Sequence, residues 1–370
     1  MKMSKLIVNG CPKNMLNGPC GGGSGGYCEV DNRICPWAKM FKNNKSEIPK
    51  VFSEVILDQG FTVRDYLPQK REPVSELMRK IVYGKRVLTY EVETGKGKGF
   101  DALASLVKEL KEYIDAFNFT DNPAGVIESN PLPLAYAIMK ELDVEVIPQL
   151  TCKDRNRAAL TSYVLSLIVL GIRNIVVATG DWPHIGSPKS VKPVFDLDSV
   201  RLVYLIRLIS DLGVDFSGRP LGTKGKIVHV GVVANLHFDP LDLEVLKLKK
   251  KVKAGAEFTQ TQPVYSYSQA RTFLNKLKEY KVEIPVILTL TPLSNSEITR
   301  LLEEKLKIPL PDEYKEKLKQ CKSKEEVLNY NIEYFTKLID ELSSLNINGF
   351  HIITLGNVTL AKELAKHAKQ

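Results

Sequence analysis

The sequence lacks several features that would assign it to a class. Its most apolar run, residues 163–172, is too short to cross a bilayer, and the first ten residues lack the apolar stretch of a signal peptide. The five histidines show no HExxH or similar spacing, and neither a GxSxG elbow nor a GxxxxGK[ST] phosphate loop occurs. We therefore expect a cytoplasmic protein without a membrane partner and without a histidine-bound metal in its main domain.

The net charge of +9 is spread along the 370 residues. Lys and Arg occur in nearly every predicted helix, which is the pattern of solvated helix faces and not of a nucleic-acid-binding stripe. The exception is LKLKKKVK at residues 246–253, which suits an anionic cofactor or substrate as well as it suits a solvated face. We expect no nucleic-acid partner.

Four of the six cysteines lie in one glycine-rich segment, CPKNMLNGPCGGGSGGYCEVDNRICP, at residues 11–36. Cys11, Cys20, Cys28 and Cys35 are separated by eight, seven and six residues, which fits neither paired CxxC zinc knuckles nor the bacterial ferredoxin run. Four thiolates can enclose a zinc ion or hold a [4Fe-4S] cluster, whereas disulfides are rare in the cytoplasm. The segment predicts a small cysteine-rich metal-binding domain, and its spacing leaves zinc and iron–sulfur both open.

From residue 87 onward, short β-rich runs alternate with helical patterns eight times. The predicted strands are residues 87–93, 116–121, 145–152, 174–181, 227–235, 258–265, 285–293 and 350–357, and the predicted helices are 100–113, 132–142, 157–170, 198–212, 241–254, 268–280, 332–345 and 359–369. Strands such as NIVVATGD are apolar along most of their length, which is typical of parallel strands covered on both faces. The pattern predicts an α/β fold, a (β/α)8 TIM barrel, with an open doubly wound sheet as the alternative.

Polar side chains gather where the predicted strands end. They are Glu91, Glu93, Thr120, Asp121, Asn122, Gln149, Thr151, Thr179, Gly180, Asp181, Asn235, His237, Gln260, Gln262, Ser294, Asn295 and Asn357. In a barrel these ends meet at one mouth, so the residues predict a site for a polar, ring-like organic ligand. For His237 the sequence leaves open whether the ring contacts the ligand or is only hydrogen-bonded.

Several of these motifs, in chain order, resemble the methylenetetrahydrofolate reductase family. They are TYEVE at residues 89–93, PQLTCKD at 148–154, ATGDWP at 178–183, LKLKKKVKAGAEFTQTQP at 246–263, TPLSN at 291–295 and FHIITLGN at 350–357. The resemblance runs from about residue 86 to the end of the chain. The cysteine segment resembles a module that accompanies reductases of this family in acetogens and some archaea. The predicted organisation is a metal-binding module at 1–44, a connector at 45–85 and a reductase barrel at 86–370.

The resemblance implies reduction of a 5,10-methylene-tetrahydrofolate-type pterin to its 5-methyl form, a step of one-carbon metabolism and methionine biosynthesis. It implies Glu91 as the catalytic acid, Asp181 beside flavin and pterin, and Gln262 on the pterin. Glu93 is two residues along the same strand and can face the same side, so only the resemblance favours Glu91. Asp181 has a structural alternative as the cap of the following helical segment.

The resemblance also implies a flavin, FAD or FMN, as hydride carrier. The residues it implies for flavin binding are Thr120, Gln149, Thr179, Gly180, Asn235, His237 and Lys251. Gln149 and Thr179 stand where many members have histidine and arginine, and VVANLHFDP at 232–240 also departs from the family pattern, so a flavin-free variant stays open. The module resemblance implies a [4Fe-4S] cluster, with zinc as the alternative.

The partners of such a reductase are a folate-type pterin and an electron donor, either NAD(P)H or a ferredoxin-like protein, and the sequence leaves a homo-oligomer or a partner subunit open. Two other functions fit the same residues: a pterin-dependent methyltransferase barrel, and a non-enzymatic electron-transfer or scaffold subunit that docks a partner through its cysteine module.

Overall fold

The computed structural model describes residues 10–23, 25–43, 51–97, 99–294, 296–305 and 307–370. Parts of the predicted module and connector, and Asn295 of the predicted site, lie outside these residues. Eight parallel strands form a closed barrel in chain order. They are β1 Val87–Val92, β2 Ala116–Phe119, β3 Val146–Thr151, β4 Asn174–Ala178, β5 His229–Ala234, β6 Phe258–Pro263, β7 Val286–Leu290 and β8 Gly349–Ile352. Closure through the β1–β8 pair confirms the TIM barrel and excludes the open sheet.

Helices alternate with the strands. Those in the described residues are α1 Pro36–Asn43, α2 Glu76–Val82, α3 Phe100–Leu110, α4 Pro131–Leu142, α5 Arg157–Val169, α6 Ser199–Arg207, α7 Leu241–Lys253, α8 Tyr267–Glu279, α9 Ser296–Arg300, α10 Asp312–Gln320, α11 Lys324–Ser343 and α12 Val358–Ala368. Side-chain oxygens of Asn156, Asp198 and Ser266 cap the first turns of α5, α6 and α8, which sets where these helices begin. None of the helices in the described ranges is long and apolar enough to cross a membrane.

Helix α2 closes the bottom of the barrel, where the strands begin. Leu77, Met78 and Ile81 are buried against the first residues of several strands, among them Phe258 and Ile287. Their spacing puts them on one face of the helix. Each such side chain stabilises the fold by about 1.5–3 kcal/mol relative to exposure, so the lower end is a packed plug and the opposite end is left for a ligand.

The described part of the predicted connector wraps the barrel. Arg71 forms buried ion pairs with Asp211 and Glu257, and Glu257 also accepts from the His229 ring at 3.0 Å. Burial alone would raise the pKa of Glu257, but the hydrogen bonds from His229 and Arg71 lower it to about 2. This network fastens residues 51–75 to the barrel below the strands.

The cysteine segment is docked on the barrel through apolar packing and buried polar contacts. Trp37 of α1 packs in one cluster with Leu243 and Leu246 of α7. The Asn17 amide pairs with both backbone groups of Ile56 at 2.8 and 2.9 Å and donates to Asp198 at 3.1 Å. The segment therefore has a fixed position relative to the strand ends.

Candidate active site

A cavity of about 490 Å³ opens at the carboxyl ends of the strands. Glu91, Asp181 and Gln262, which lie far apart in sequence, all line it, and so does Glu93. The strand ends of a closed parallel barrel converge, which is why residues from β1, the β4 loop and β6 meet here. Glu91 and Glu93 both line the cavity, as expected for two residues on the same side of the predicted first strand.

Glu91 is held by side chains from two other strands. Gln149 Nε2 donates to Glu91 Oε2 at 3.0 Å, and His351 Nε2 lies 3.6 Å from the same oxygen. The Glu91 side chain is 16% exposed, which leaves it open to the cavity. A carboxyl group so placed can exchange a proton with a bound ligand.

Asp181 joins two loops at the mouth. Its Oδ2 accepts from the backbone N–H of Ala124 at 2.9 Å, while the helical turn that follows it has Trp182 at its cap position and no side-chain cap. Asp181 therefore does not cap that turn, and its alternative structural role is wrong. Gly180 beside it has φ +87°, and a Cβ there would come within 3.0 Å of Thr151 Cβ, so this close turn favours glycine.

Gln262 lies at an irregularity of the barrel. The pairing of β6 with β7 shifts register between Gln260 and Pro263, as at a β-bulge. Bulges are common beside active sites because they re-aim side chains. The Gln262 side-chain amide makes no hydrogen bond to another residue that the structure describes, so its donor and acceptor are free for a ligand.

The wall on the β5 and α7 side is basic overall, with two lysines beside the buried carboxylate of Glu244. Lys247 and Lys251 line the cavity, and both are about 2% exposed. Burial, together with the neighbouring ammonium group of Lys247, lowers the pKa of Lys251 to about 7. Lys251 donates to the Val233 carbonyl, and Lys247 donates to the Cys20 carbonyl at 3.2 Å. Two lysines of the cluster at residues 246–253 thus line the cavity, where they can bind an anionic group of a ligand.

Five of the seven residues predicted for flavin binding line the cavity: Gln149, Thr179, Gly180, Asn235 and Lys251. The other two, Thr120 and His237, are not among its lining residues. Thr120 donates its hydroxyl to Glu128 at 3.0 Å, and the His237 ring contacts the Pro263 carbonyl at 2.7 Å. Burial lowers the pKa of His237, so its ring is neutral and hydrogen-bonded within the wall.

Sequence reasoning missed the charged residues that follow β3 beside the cavity, one of which pairs with the predicted Asp121. Asp121 and Arg155 form a two-pronged ion pair at 2.7 and 3.0 Å, and Asp121 also accepts from the Thr151 hydroxyl. Lys153 lines the cavity while it donates to Asp154 at 2.6 Å. The motif CKDR carries three of these groups immediately after β3, and its run of charges beyond a buried strand was the available signal.

The cysteine segment forms part of the same wall. Lys13, Cys20, Gly21 and Gly22 line the cavity, and Asn235 donates its amide N–H to the Gly21 carbonyl. Cys20 also borders a second, small void of about 10 Å³. Lys13 and Cys20 therefore line both this void and the ligand cavity.

All four clustered cysteines border the small void, and all six cysteines are free thiols. Burial raises the pKa of Cys35 to about 12. Within the described ranges, however, no three His, Cys, Asp or Glu side chains stand in an arrangement that holds a metal ion. The geometry brings the predicted ligands together without showing the metal-binding domain that the sequence predicts.

The structure defines a (β/α)8-barrel protein with a cavity of about 490 Å³ at the carboxyl ends of its strands. Comparison with known proteins gives the family: the family described as "Methylenetetrahydrofolate reductase" matches residues 77–369. The chain belongs to the methylenetetrahydrofolate reductase family. A second family, described as "Methylene-tetrahydrofolate reductase C terminal", matches residues 5–57, which include the four clustered cysteines.

Two relatives illustrate the similarity. The chain is 24% identical over 262 residues to "Methylenetetrahydrofolate reductase (NADH) 1" of Arabidopsis thaliana, which covers 70% of this chain and 44% of the relative. It is 24% identical over 227 residues to "5,10-methylenetetrahydrofolate reductase" of Salmonella typhimurium, which covers 60% of this chain and 70% of the relative. The chain thus spans about half the length of the plant relatives it matches.

A solved structure shares the fold. It is an uncharacterized protein from Clostridium thermocellum that binds two copies of 5-methyl-5,6,7,8-tetrahydrofolic acid. The match has a TM-score of 0.54 at 18% identity and covers 78% of this chain and 99% of that protein.

Proposed function

We propose that this protein reduces a 5,10-methylene-tetrahydrofolate-type pterin to the 5-methyl pterin. The observation that carries the proposal is the single cavity that Glu91, Asp181 and Gln262 share. The family and the methyl-pterin ligand of the Clostridium thermocellum protein support a folate-type occupant. An oxidoreductase role follows from the names of the relatives.

Glu91 is the acid of this reaction. Opening the five-membered ring of the substrate to an iminium ion requires a proton at N10, and a carboxyl group at the cavity wall can supply it. Gln149 holds the Glu91 carboxyl from the neighbouring wall at 3.0 Å. The unpartnered amide of Gln262 binds the pterin ring, and Asp181 orients it from the opposite loops.

In this proposal the flavin occupies the part of the cavity that Lys247 and Lys251 line. When bound, FAD or FMN would supply the hydride that reduces the iminium carbon. Lys247 and Lys251 present ammonium groups to this part of the cavity, and the Thr179 hydroxyl and Gly180 backbone line the same wall. These groups suit a phosphate-bearing cofactor, and the acidic half with Glu91 remains for the pterin.

The four clustered cysteines hold a metal centre in this proposal, a [4Fe-4S] cluster or zinc. All four cysteines line one void of about 10 Å³, which has room for a single ion such as zinc, so a [4Fe-4S] cluster requires the cysteine side chains to move apart. The resemblance to the reductase-associated module favours iron–sulfur; such a cluster would pass single electrons past Cys20 from a ferredoxin-like donor, whereas NAD(P)H would give its hydride directly to the flavin.

The test uses protein purified without air. Incubation with 5,10-methylenetetrahydrofolate and a reduced viologen dye should give 5-methyltetrahydrofolate, while the absorbance spectrum shows flavin bands that bleach with the dye. Metal and sulfide analysis of the same sample distinguishes iron–sulfur from zinc. Transfer of a methyl group to a corrinoid or thiol without reduction would favour the methyltransferase, and bound metal without pterin affinity would favour the electron-transfer subunit; either result overturns the proposal.

A further inference from the structure

An imidazole lies on the cavity wall directly beside Glu91. His351 belongs to β8, which pairs with β1 in a register that sets His351 opposite Thr89. Its Nδ1 is 2.8 Å from the Thr89 hydroxyl oxygen, and its Nε2 is 3.6 Å from Glu91 Oε2. The residue is 3% exposed. The ring therefore bridges a buried hydroxyl group and the carboxylate that the proposed function uses as its acid.

The hydrogen bonds of Thr89 select one form of the ring. Gln260 Nε2 donates to the Thr89 oxygen at 3.2 Å, and the Gln260 amide is itself paired with Asn118 at 2.8 Å. Thr89 accepts from Gln260, and its O–H has no acceptor other than Nδ1 of His351 among the residues that the structure describes, so the hydroxyl donates to Nδ1. A neutral ring that accepts at Nδ1 carries its proton on Nε2, the nitrogen that faces Glu91.

This arrangement gives Glu91 a second N–H group beside the amide of Gln149. A separation of 3.6 Å is longer than a hydrogen bond, but catalytic contacts commonly tighten when the ligand binds. Once Glu91 has given up its proton, the carboxylate would be stabilised by both donors, and its direction toward the cavity would be fixed from two sides.

We propose that His351 is a positioning residue for Glu91, with Thr89 holding the ring in the form that presents Nε2–H to the carboxylate. The inference rests on the proposed role of Glu91 as the acid. It adds a third and a fourth strand-borne side chain, from β8 and from the inner face of β1, to the proton-transfer site.

The test compares His351→Phe, which keeps a planar ring without N–H groups, with Thr89→Val and Thr89→Ser. Valine matches the shape of threonine without the hydroxyl, and serine retains the hydroxyl as the matched control. We expect His351→Phe and Thr89→Val to lower turnover of methylene pterin about tenfold. Thr89→Ser should stay close to wild type, and the dissociation constant for 5-methyltetrahydrofolate should change by less than about twofold in all three.

A double-mutant comparison separates positioning from a structural role. If His351 acts through Glu91, adding His351→Phe to Glu91→Gln should cause no further loss of turnover, because the group it positions is already gone. A further tenfold loss in that background, or normal turnover in both His351→Phe and Thr89→Val, would overturn the inference. Normal turnover in Glu91→Gln would instead overturn the proposed acid, so the two failures are distinguishable. If His351→Phe does not fold, the comparison of Thr89→Val with Thr89→Ser tests the inference in its place: equal turnover in these two variants would overturn it.

Discussion

Asn17→Ala should detach the cysteine segment from the barrel more than any exposed change in that segment. The Asn17 side chain is 1% exposed and satisfies the N–H and C=O of Ile56, the Asp198 carboxylate and the Lys250 ammonium group, at distances of 2.8–3.3 Å. Alanine at position 17 removes the hydrogen bonds to all four of these groups. The Ile56 groups are only partly buried, so each costs about 1 kcal/mol at the lower end of the range for an unmet group.

With about 1 kcal/mol from each of the two charged partners as well, the loss comes to about 4 kcal/mol, which is nearly a thousandfold in the folding equilibrium. The measurement is urea unfolding, read as the shift of the midpoint, together with the rate of proteolytic cleavage in residues 10–60. Asn43→Ala is the matched control, because Asn43 is an exposed asparagine at the end of α1. Equal midpoints and equal cleavage rates for the two variants would refute the account of how the segment is docked.

Two further predictions concern pH. Lys251, with its pKa near 7, is charged below that pH, so affinity for FMN should fall as pH rises through about 7. Lys251→Met should bind FMN about tenfold more weakly at pH 6.5 and lose this pH dependence, whereas the exposed Lys249→Met should not; identical titrations for both would contradict the basic wall. Glu257 has a pKa lowered to about 2 from an ordinary 4.5, so its contribution is complete above pH 4.5 and is lost as pH falls toward 2. Glu257→Gln should therefore lower the free energy of unfolding by about 3 kcal/mol at pH 7 and by much less at pH 3, measured by urea unfolding, and a constant difference would be inconsistent with the ion-pair network.

The barrel could be predicted because each strand is a short β-rich run that is followed by a helical pattern of apolar residues. The predicted strands extend beyond the observed ones at their carboxyl ends. The second strand was predicted to reach Asp121 but ends at Phe119; beyond it, the side chains of Thr120 and Asp121 bond to Glu128 and Thr151. Helix α11 begins at Lys324, eight residues before its predicted start, because its first two turns are mostly polar and show little apolar periodicity.

The plug helix α2 and the docking of the cysteine segment could not be predicted in the same way. Both depend on contacts between residues far apart in sequence, such as Asn17 with Asp198. Local patterns carry no information about which distant group satisfies a buried amide. This is also why no role of its own could be predicted for His351, although the residue lies in the motif FHIITLGN: its contact with Glu91 depends on the register of β8 against β1.

The most direct test of the proposed site compares Glu91→Gln with Glu93→Gln. Both carboxylates line the cavity, so the pair is matched in type and location. Turnover of methylene pterin and binding of 5-methyltetrahydrofolate are measured for each variant. We expect Glu91→Gln to lower turnover by about a hundredfold or more, the scale of a lost general acid, with binding nearly intact, and Glu93→Gln to retain turnover. Normal turnover in Glu91→Gln together with its loss in Glu93→Gln would contradict the assignment of Glu91 as the proton donor.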